Sequence, residues 1–244
     1  MINEAYIKTC YANLYEKPTF KSQMVSQALF CEHVAILLKH ENWYKIRQWD
    51  GYTSYVHKFY LSIGSIENKE NNVFSVFVRF LEMYKDKNLT NIAFLAPFSS
   101  EVFIEEKSNG TFRTKEIGGE CYFFSNNIDC LYDKNKLRDQ IIDHGKRLVG
   151  TPYLWGGKSS YGFDCSGFVQ SVFKSVGIAL ERDTSEQINN PKTRRINLQD
   201  AKNGDLIFFN VYGKDVDHVG IYMKQGKIIH CSGEVKIENI HDTT

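Results

Sequence analysis

The chain has 244 residues, 42% of them hydrophobic and 24% charged, which supplies two or three buried cores and excludes a disordered polymer. Its formal charge of +1 leaves no basic footprint for nucleic acid or an anionic membrane, and no stretch is long and apolar enough to span a bilayer. The six cysteines, Cys10, Cys31, Cys121, Cys130, Cys165 and Cys231, follow no framework spacing, as suits separate thiols in a reducing compartment.

The first residues, Met1 to Lys8, lack a basic segment followed by an apolar core, so a cytoplasmic location is expected. A chain trimmed of a signal peptide would read the same way, with an extracytoplasmic location. Residues 1–65 carry short runs rich in Val, Ile, Tyr and Trp broken by polar turns, the pattern of a small β-barrel. In residues 66–132, Phe74, Val76, Val78 and Phe80 alternate, and Lys107-Ser108-Asn109-Gly110-Thr111 reads as a hairpin turn, so a second barrel is expected. Residues 133–149 carry Leu137, Ile141 and Leu148 among charges, with Gly150 beyond, as in a helix leading into a third domain at 133–244. Only four prolines occur, so the modules are expected to pack together without flexible tethers.

Downstream, Phe168, Val169, Val172, Phe173 and Val176 recur at helical spacing and end at Gly177, so Cys165 opens a helix. The N–H groups and dipole at that end favour a thiolate. Gly156, Gly157 and Gly162 lie just upstream, where they offer sharp turns and amides for a substrate carbonyl, with the Cys165 amide as an oxyanion donor. Gly204-Asp205 reads as a turn before the buried strand Leu206 to Phe209.

His218-Val219-Gly220-Ile221-Tyr222-Met223 and Lys227-Ile228-Ile229-His230 form a hairpin around Lys224-Gln225-Gly226, and its loop length decides whether the histidines cooperate. A two-residue turn would put them on opposite faces. A three-residue loop, with Gly226 left-handed in a bulge, pairs Met223 with Lys227 and sets His230 opposite Gly220, so both imidazoles share one face. The bulged form is predicted. Cys165 is then the nucleophile, His218 the base that takes its proton, and His230 the group that orients His218. This chemistry needs no metal or other cofactor, and the histidine spacing lacks the cysteine pair of a zinc site. Cys231, next to His230, points to the opposite face.

Gly150-Thr151-Pro152-Tyr153-Leu154-Trp155-Gly156-Gly157, Asp164-Cys165-Ser166-Gly167, Gly204-Asp205-Leu206-Ile207-Phe208-Phe209 and His218-Val219-Gly220 resemble the NlpC-type cell-wall cysteine peptidases over about residues 134–244. The resemblance implies a papain-like α+β fold and cleavage of the γ-D-glutamyl to diamino acid bond, with meso-diaminopimelate or lysine as the diamino acid. It places Cys165, His218 and His230 on the catalytic triad and Tyr153 near the nucleophile. Asp164 and Ser166 flank Cys165 as in relatives that read a free amino end, and Arg182-Asp183-Thr184 resembles an Arg-Asp-Ser stretch lining that pocket. An Asp164 or Asp183 carboxylate suits an ammonium group, whereas Arg182 suits a substrate carboxylate or a structural ion pair. Thr184-Ser185-Glu186-Gln187 also fits a capping box, in which Asp183 or Thr184 simply starts a helix.

Asn13-Leu14-Tyr15-Glu16-Lys17-Pro18, Asn42-Trp43-Tyr44-Lys45-Ile46-Arg47 and Asp50-Gly51-Tyr52-Thr53-Ser54-Tyr55-Val56 resemble a bacterial SH3-like domain. The expected architecture is therefore α+β, a papain-like catalytic domain preceded by one or two small SH3-like β-barrels. In related recycling enzymes such a barrel closes one end of the groove, which implies peptidoglycan-derived peptides with a free N-terminal L-Ala as partners, and neither nucleic acid nor membrane. Two other functions compete: amidase or transpeptidase chemistry on the same thiol, and a wall-peptide binding module without catalysis.

Overall fold

The computed structural model describes residues 3–66, 73–125, 134–210, 213 and 216–242, in two units, Met1–Leu131 and Tyr132–Thr244. Cys130 and the expected boundary at 132/133 lie outside the described residues.

In the first unit the short β-branched and aromatic runs become antiparallel strands. β1 (Glu4–Ile7), β2 (Tyr11–Tyr15), β3 (Met24–Leu29), β4 (His33–His40), β5 (Trp43–Arg47), β6 (Thr53–His57) and β7 (Leu61–Ile63) form one sheet. Its order is β3-β2-β6-β5-β4-β1-β7. Register shifts between Leu14 and Tyr15 and between Ile36 and Leu38 bend it. Leu14, Val34, Ile46 and Val56 fill its core.

The alternating run from Phe74 to Phe80 is not one strand. It divides into β8 (Val73–Ser75) and β9 (Phe80–Tyr84), because the Val76 backbone is taken up elsewhere: its N–H donates to Ser100 O and its carbonyl accepts from Ser99 N, each at 2.9 Å. β10 (Ile92–Pro97), β11 (Glu101–Ser108), β12 (Thr111–Thr114) and β13 (Phe123–Ser125) complete a six-stranded sheet ordered β10-β9-β13-β12-β11-β8. Asn109 and Gly110 form the expected two-residue turn, with φ of 48° and 79° as a type I′ hairpin requires.

The two sheets share a core. Tyr6, Phe30 and Cys31 of the first are buried among Val76, Leu81, Met83, Val102 and Phe124 of the second. The Phe30 ring lies 4.9 Å from that of Phe94 and 5.7 Å from that of Tyr122, in edge-to-face contact.

The second unit contains α1 (Leu137–Arg147), the short pair β14 (Lys158–Ser159) and β15 (Gly162–Phe163), α2 (Cys165–Lys174) and α3 (Thr184–Ile188). An antiparallel sheet follows, made of β16 (Leu206–Phe209), β17 (His218–Met223), β18 (Lys227–Ser232) and β19 (Glu234–Asn239) in that spatial order. β16 is half-buried along its length, not fully buried as its apolar run suggested, because it is an edge of the sheet. Cys165 opens α2 as expected, and Gly177, at φ 75°, ends the turn that follows it.

Phe168, Val169 and Val172 are fully buried, each burial contributing about 1.5–3 kcal/mol. α1 approaches closely at Gly145, where a Cβ would come within 3.2 Å of Ile229 and 3.5 Å of Phe168. Ile229 and Cys231 thus face the helices, with the Cys231 thiol 3.1 Å from Phe163 O, and the alternate residues of β18 face away. Among the described residues no helix is long and apolar enough to cross a membrane.

Candidate active site

The hairpin has the predicted register: Met223 pairs with Lys227 and Gly220 with His230. Gln225 as well as Gly226 is left-handed, at φ 66° and 69°, where the bulged turn asked this of Gly226 alone. The loop is tied down on both sides, by Lys224 N–H donating to Asn203 Oδ1 at 2.8 Å and Gly226 O accepting from Ile240 N–H at 2.9 Å. The missing side chain at Gly220 makes room for His230, since a Cβ there would stand 2.9 Å from the His230 Cβ. Gly220→Ala should therefore displace His230 and lower kcat by on the order of 10²-fold in steady-state kinetics, with the far-ultraviolet circular dichroism unchanged.

His218 and His230 meet at 2.7 Å, Nε2 to Nδ1, with their rings nearly perpendicular at 82°. Nε2 of His218 is thereby occupied, which leaves its Nδ1 to serve a nucleophile. The Cys165 sulfur lies at the start of β17, 4.0 Å from Asp217 O, and 3.8 Å from the Thr184 hydroxyl. Beyond His230 the chain continues to a residue that the sequence did not single out: His230 Nε2 lies 2.8 Å from Glu238 Oε1, and Lys236 Nζ lies 2.9 Å from Glu238 Oε2.

Burial pushes the Cys165 thiol above its ordinary value and the Asp164 carboxylate adds to this, against the Thr184 hydroxyl and the Val219 and Ser166 amides. The expected lowering by the helix dipole is offset for a definite reason. Asp164 is the N-cap of α2, its Oδ1 accepting from Gly167 N at 2.7 Å, so a negative charge already occupies that end. His218 is lowered to about 4, by burial first and then by His230, and burial also lowers His230. Burial thus disfavours each charge standing alone, the thiolate as well as either imidazolium, so the groups titrate as a coupled set.

His144, buried in α1 with Nδ1 2.8 Å from Ser175 Oγ, is also lowered to about 4 by burial. A histidine whose folded value lies below the unfolded 6.5 binds its proton more readily in the unfolded chain. Its contribution to stability is complete above pH 6.5 and is lost as pH falls through about 4. Urea midpoints should drop across that window, and His144→Asn should flatten the drop.

Of the remaining candidates, the structure brings Asp164, Ser166 and Arg182 together in a buried cluster. Asp164 holds Arg182 in a two-pronged contact, Oδ1 to Nη1 at 3.0 Å and Oδ2 to Nη2 at 2.5 Å. Oδ2 also accepts from Gly156 N at 3.0 Å, and Arg182 Nη1 donates to Ser166 Oγ at 2.9 Å. Of the two roles open to Arg182, the structure has it in the ion pair. Gly156 N serves Asp164, and Gly157 N serves Leu154 O at 2.8 Å, so these two amides are not offered to a substrate carbonyl as expected. α3 begins at Thr184 with Asp183 at the N-cap, but no side chain makes the capping bond, so the capping box is not formed. Tyr153 is half-buried, pairing with Phe163, and burial with the nearby Cys165 and Asp164 charges raises its hydroxyl. Cys10, Cys31, Cys121, Cys165 and Cys231 are free thiols, and among the described residues no three His, Cys, Asp or Glu are grouped to hold a metal ion.

A cysteine at a helix N-terminus beside two hydrogen-bonded histidines on an antiparallel sheet defines the papain-like class of thiol site. Residues 150–244 match the NlpC/P60 family, and residues 14–58 match the bacterial dipeptidyl-peptidase SH3 domain. The γ-D-glutamyl-L-lysine dipeptidyl-peptidase of Bacillus subtilis is 30% identical over 216 residues, 84% of this chain and 71% of that protein. A Bacillus cereus protein of the same description is 43% identical over 94 residues, 38% of this chain and 28% of its own length. The probable endopeptidase p60 of Listeria monocytogenes is 42% identical over 102 residues, and the chain spans 20% of it. A solved NlpC/P60 family protein from Bacillus cereus has the same fold, with a TM-score of 0.85 at 22% identity over 98% of this chain and 95% of that one. The chain belongs to the NlpC/P60 family of cell-wall cysteine peptidases, with an SH3-like domain preceding the catalytic one.

Proposed function

We propose that this protein hydrolyses the γ-D-glutamyl to diamino acid bond of peptidoglycan-derived peptides, and that it acts on free L-Ala-γ-D-Glu-diamino acid peptides in the cytoplasm during wall recycling. The observation that carries the reading is the Cys165 thiol at the head of α2, beside β17, with His218 backed by His230 at 2.7 Å. The names of the two Bacillus relatives support the bond and favour lysine as the diamino acid.

His218 Nδ1 takes the thiol proton as Cys165 Sγ attacks the γ-carbonyl, and returns it to the departing diamino acid amine. The Cys165 amide, at the first turn of α2, serves the oxyanion. Water then resolves the acyl-enzyme with His218 as base. Tyr153, Asp164, Ser166, Arg182, Asp183 and Thr184 form the substrate side. Thr184 touches the thiol, and Asp183 next to it supplies a carboxylate for the ammonium of L-Ala. Asp164 acts through Arg182 and the cap of α2, shaping the pocket from beneath.

Mass spectrometry of L-Ala-γ-D-Glu-L-Lys and its meso-diaminopimelate counterpart, each also N-acetylated, tests this. Release of L-Ala-D-Glu from the free-amine peptides alone supports the proposal. Equal cleavage of the acetylated forms removes the free-amine requirement, and transfer to an added amine in place of hydrolysis overturns the peptidase assignment.

A further inference from the structure

We propose that Glu238 is a positioning residue that sets the direction of the hydrogen bonds from His230 to His218 and so keeps His218 Nδ1 ready to accept a proton. The inference rests on the Cys165, His218 and His230 reading above.

Glu238 reaches the site by the same parity that brings the histidines together. β19 pairs with β18 so that Ser232 lies opposite Glu234 across Gly233, and His230 lies opposite Lys236. Lys236 and Glu238 therefore share the face of β19 that corresponds to His230 on β18 and to Gly220 and His218 on β17. The contacts then run in one line, His218 Nε2 to His230 Nδ1 at 2.7 Å, His230 Nε2 to Glu238 Oε1 at 2.8 Å, and Glu238 Oε2 to Lys236 Nζ at 2.9 Å. His230 is wholly buried, whereas the Glu238 side chain is 20% exposed. The contact is an ion pair by distance without the alignment of a hydrogen bond, and the nearby carboxylate charge favours the hydrogen on the ring nitrogen that faces it.

A carboxylate is an acceptor only, and this fixes every proton in the line. Glu238 requires the hydrogen of His230 to be on Nε2, which makes His230 Nδ1 an acceptor. His218 Nε2 must then carry the hydrogen, and His218 Nδ1 is left with its lone pair. Without Glu238 the opposite order is equally available, with the hydrogen on His230 Nδ1, an acceptor at His218 Nε2 and a useless N–H at His218 Nδ1. A base held in the wrong tautomer cannot take the thiol proton. Once His218 is protonated, the Glu238 charge also favours the imidazolium, opposed by Lys236. The other charge facing His218 is Asp217 on its own chain segment, while from the side of α2 the Cys165 sulfur comes within 4.0 Å of Asp217 O and has Asp164 beside it.

Long-range 15N–1H correlation spectra of the resting wild-type protein above pH 7 test the order directly. Protonated Nε2 on both His218 and His230 is the expected result, and a hydrogen on His230 Nδ1 overturns the proposal. This measurement uses no substrate, so it stands even if the protein cleaves none of the peptides above. Kinetics add a second readout, for which iodoacetamide alkylation of Cys165 replaces turnover if no peptide is cleaved. Glu238→Ala should lower kcat by about 10²-fold with KM within twofold, and Glu238→Gln, which retains an acceptor oxygen, should recover much of the loss. The acid limb of the pH profile should move down in Glu238→Gln and up in Lys236→Met, opposite shifts that loss of packing does not produce. A Glu238→Ala rate within twofold of wild type, or acid limbs unmoved in both charge variants, overturns the role.

Discussion

Cys165→Ala should leave no measurable peptide hydrolysis, a loss on the order of 10⁴-fold or more in kcat, while the protein stays folded. The thiol is almost fully buried, 3.8 Å from the Thr184 hydroxyl and 4.0 Å from Asp217 O, and the substitution removes a single atom, so the fold is expected to survive it. His218→Ala should cost nearly as much, and the double variant no more than either single one, because nucleophile and base act as one unit. Steady-state assays with matched thermal melts separate this from unfolding. A Cys165→Ala protein that still turned over peptide would move the nucleophile elsewhere and remove the basis of the mechanism.

Arg182→Ala should be the most destabilising single change in the catalytic domain. Arg182 is 2% exposed and holds both oxygens of Asp164, so truncation strands a carboxylate in the interior, at a cost of about 3–5 kcal/mol. The damage would spread to the nucleophile, because Asp164 also caps α2 and receives the Gly156 amide. Arg182→Lys keeps the charge but not the planar fork, and should fall between wild type and alanine. Asp164→Asn combined with Arg182→Met removes both charges together and should be markedly more stable than Arg182→Ala alone. Urea denaturation of the four proteins measures this, and a loss below about 1 kcal/mol for Arg182→Ala would mean that water or another cation satisfies Asp164.

The parts of the site legible in the sequence are those fixed by local rules. The helix that begins at Cys165 follows from apolar spacing, and the pairing of Gly220 with His230 follows from the parity of a three-residue loop. The Arg182–Asp164 pair spans 18 residues and a change of direction, so no periodicity announces it, and Arg182 alone suited two roles. Glu238 was within reach of the parity rule, but only once the register across Gly233 was known, and Ser232 pairing with Glu234 over a single residue is not a turn that composition reveals. The thiol environment was misjudged because the dipole of α2 was counted without the burial of the sulfur and without Asp164, the charge that caps the helix. In the first unit, the alternation from Phe74 to Phe80 carries no sign of the break after Ser75, since nothing in the pattern shows Val76 giving its backbone to Ser99 and Ser100.

The core shared by the two N-terminal sheets has a consequence for biosynthesis. Tyr6, Phe30 and Cys31 leave the ribosome long before the residues that cover them, which extend to Phe124. At about 5–20 residues per second, roughly 5–20 s pass between Phe30 and Phe124. For that interval the nascent first sheet carries an uncovered aromatic face, so it is the stretch of this chain where a chaperone binding apolar surface has most to do, and where a pause in translation is most costly.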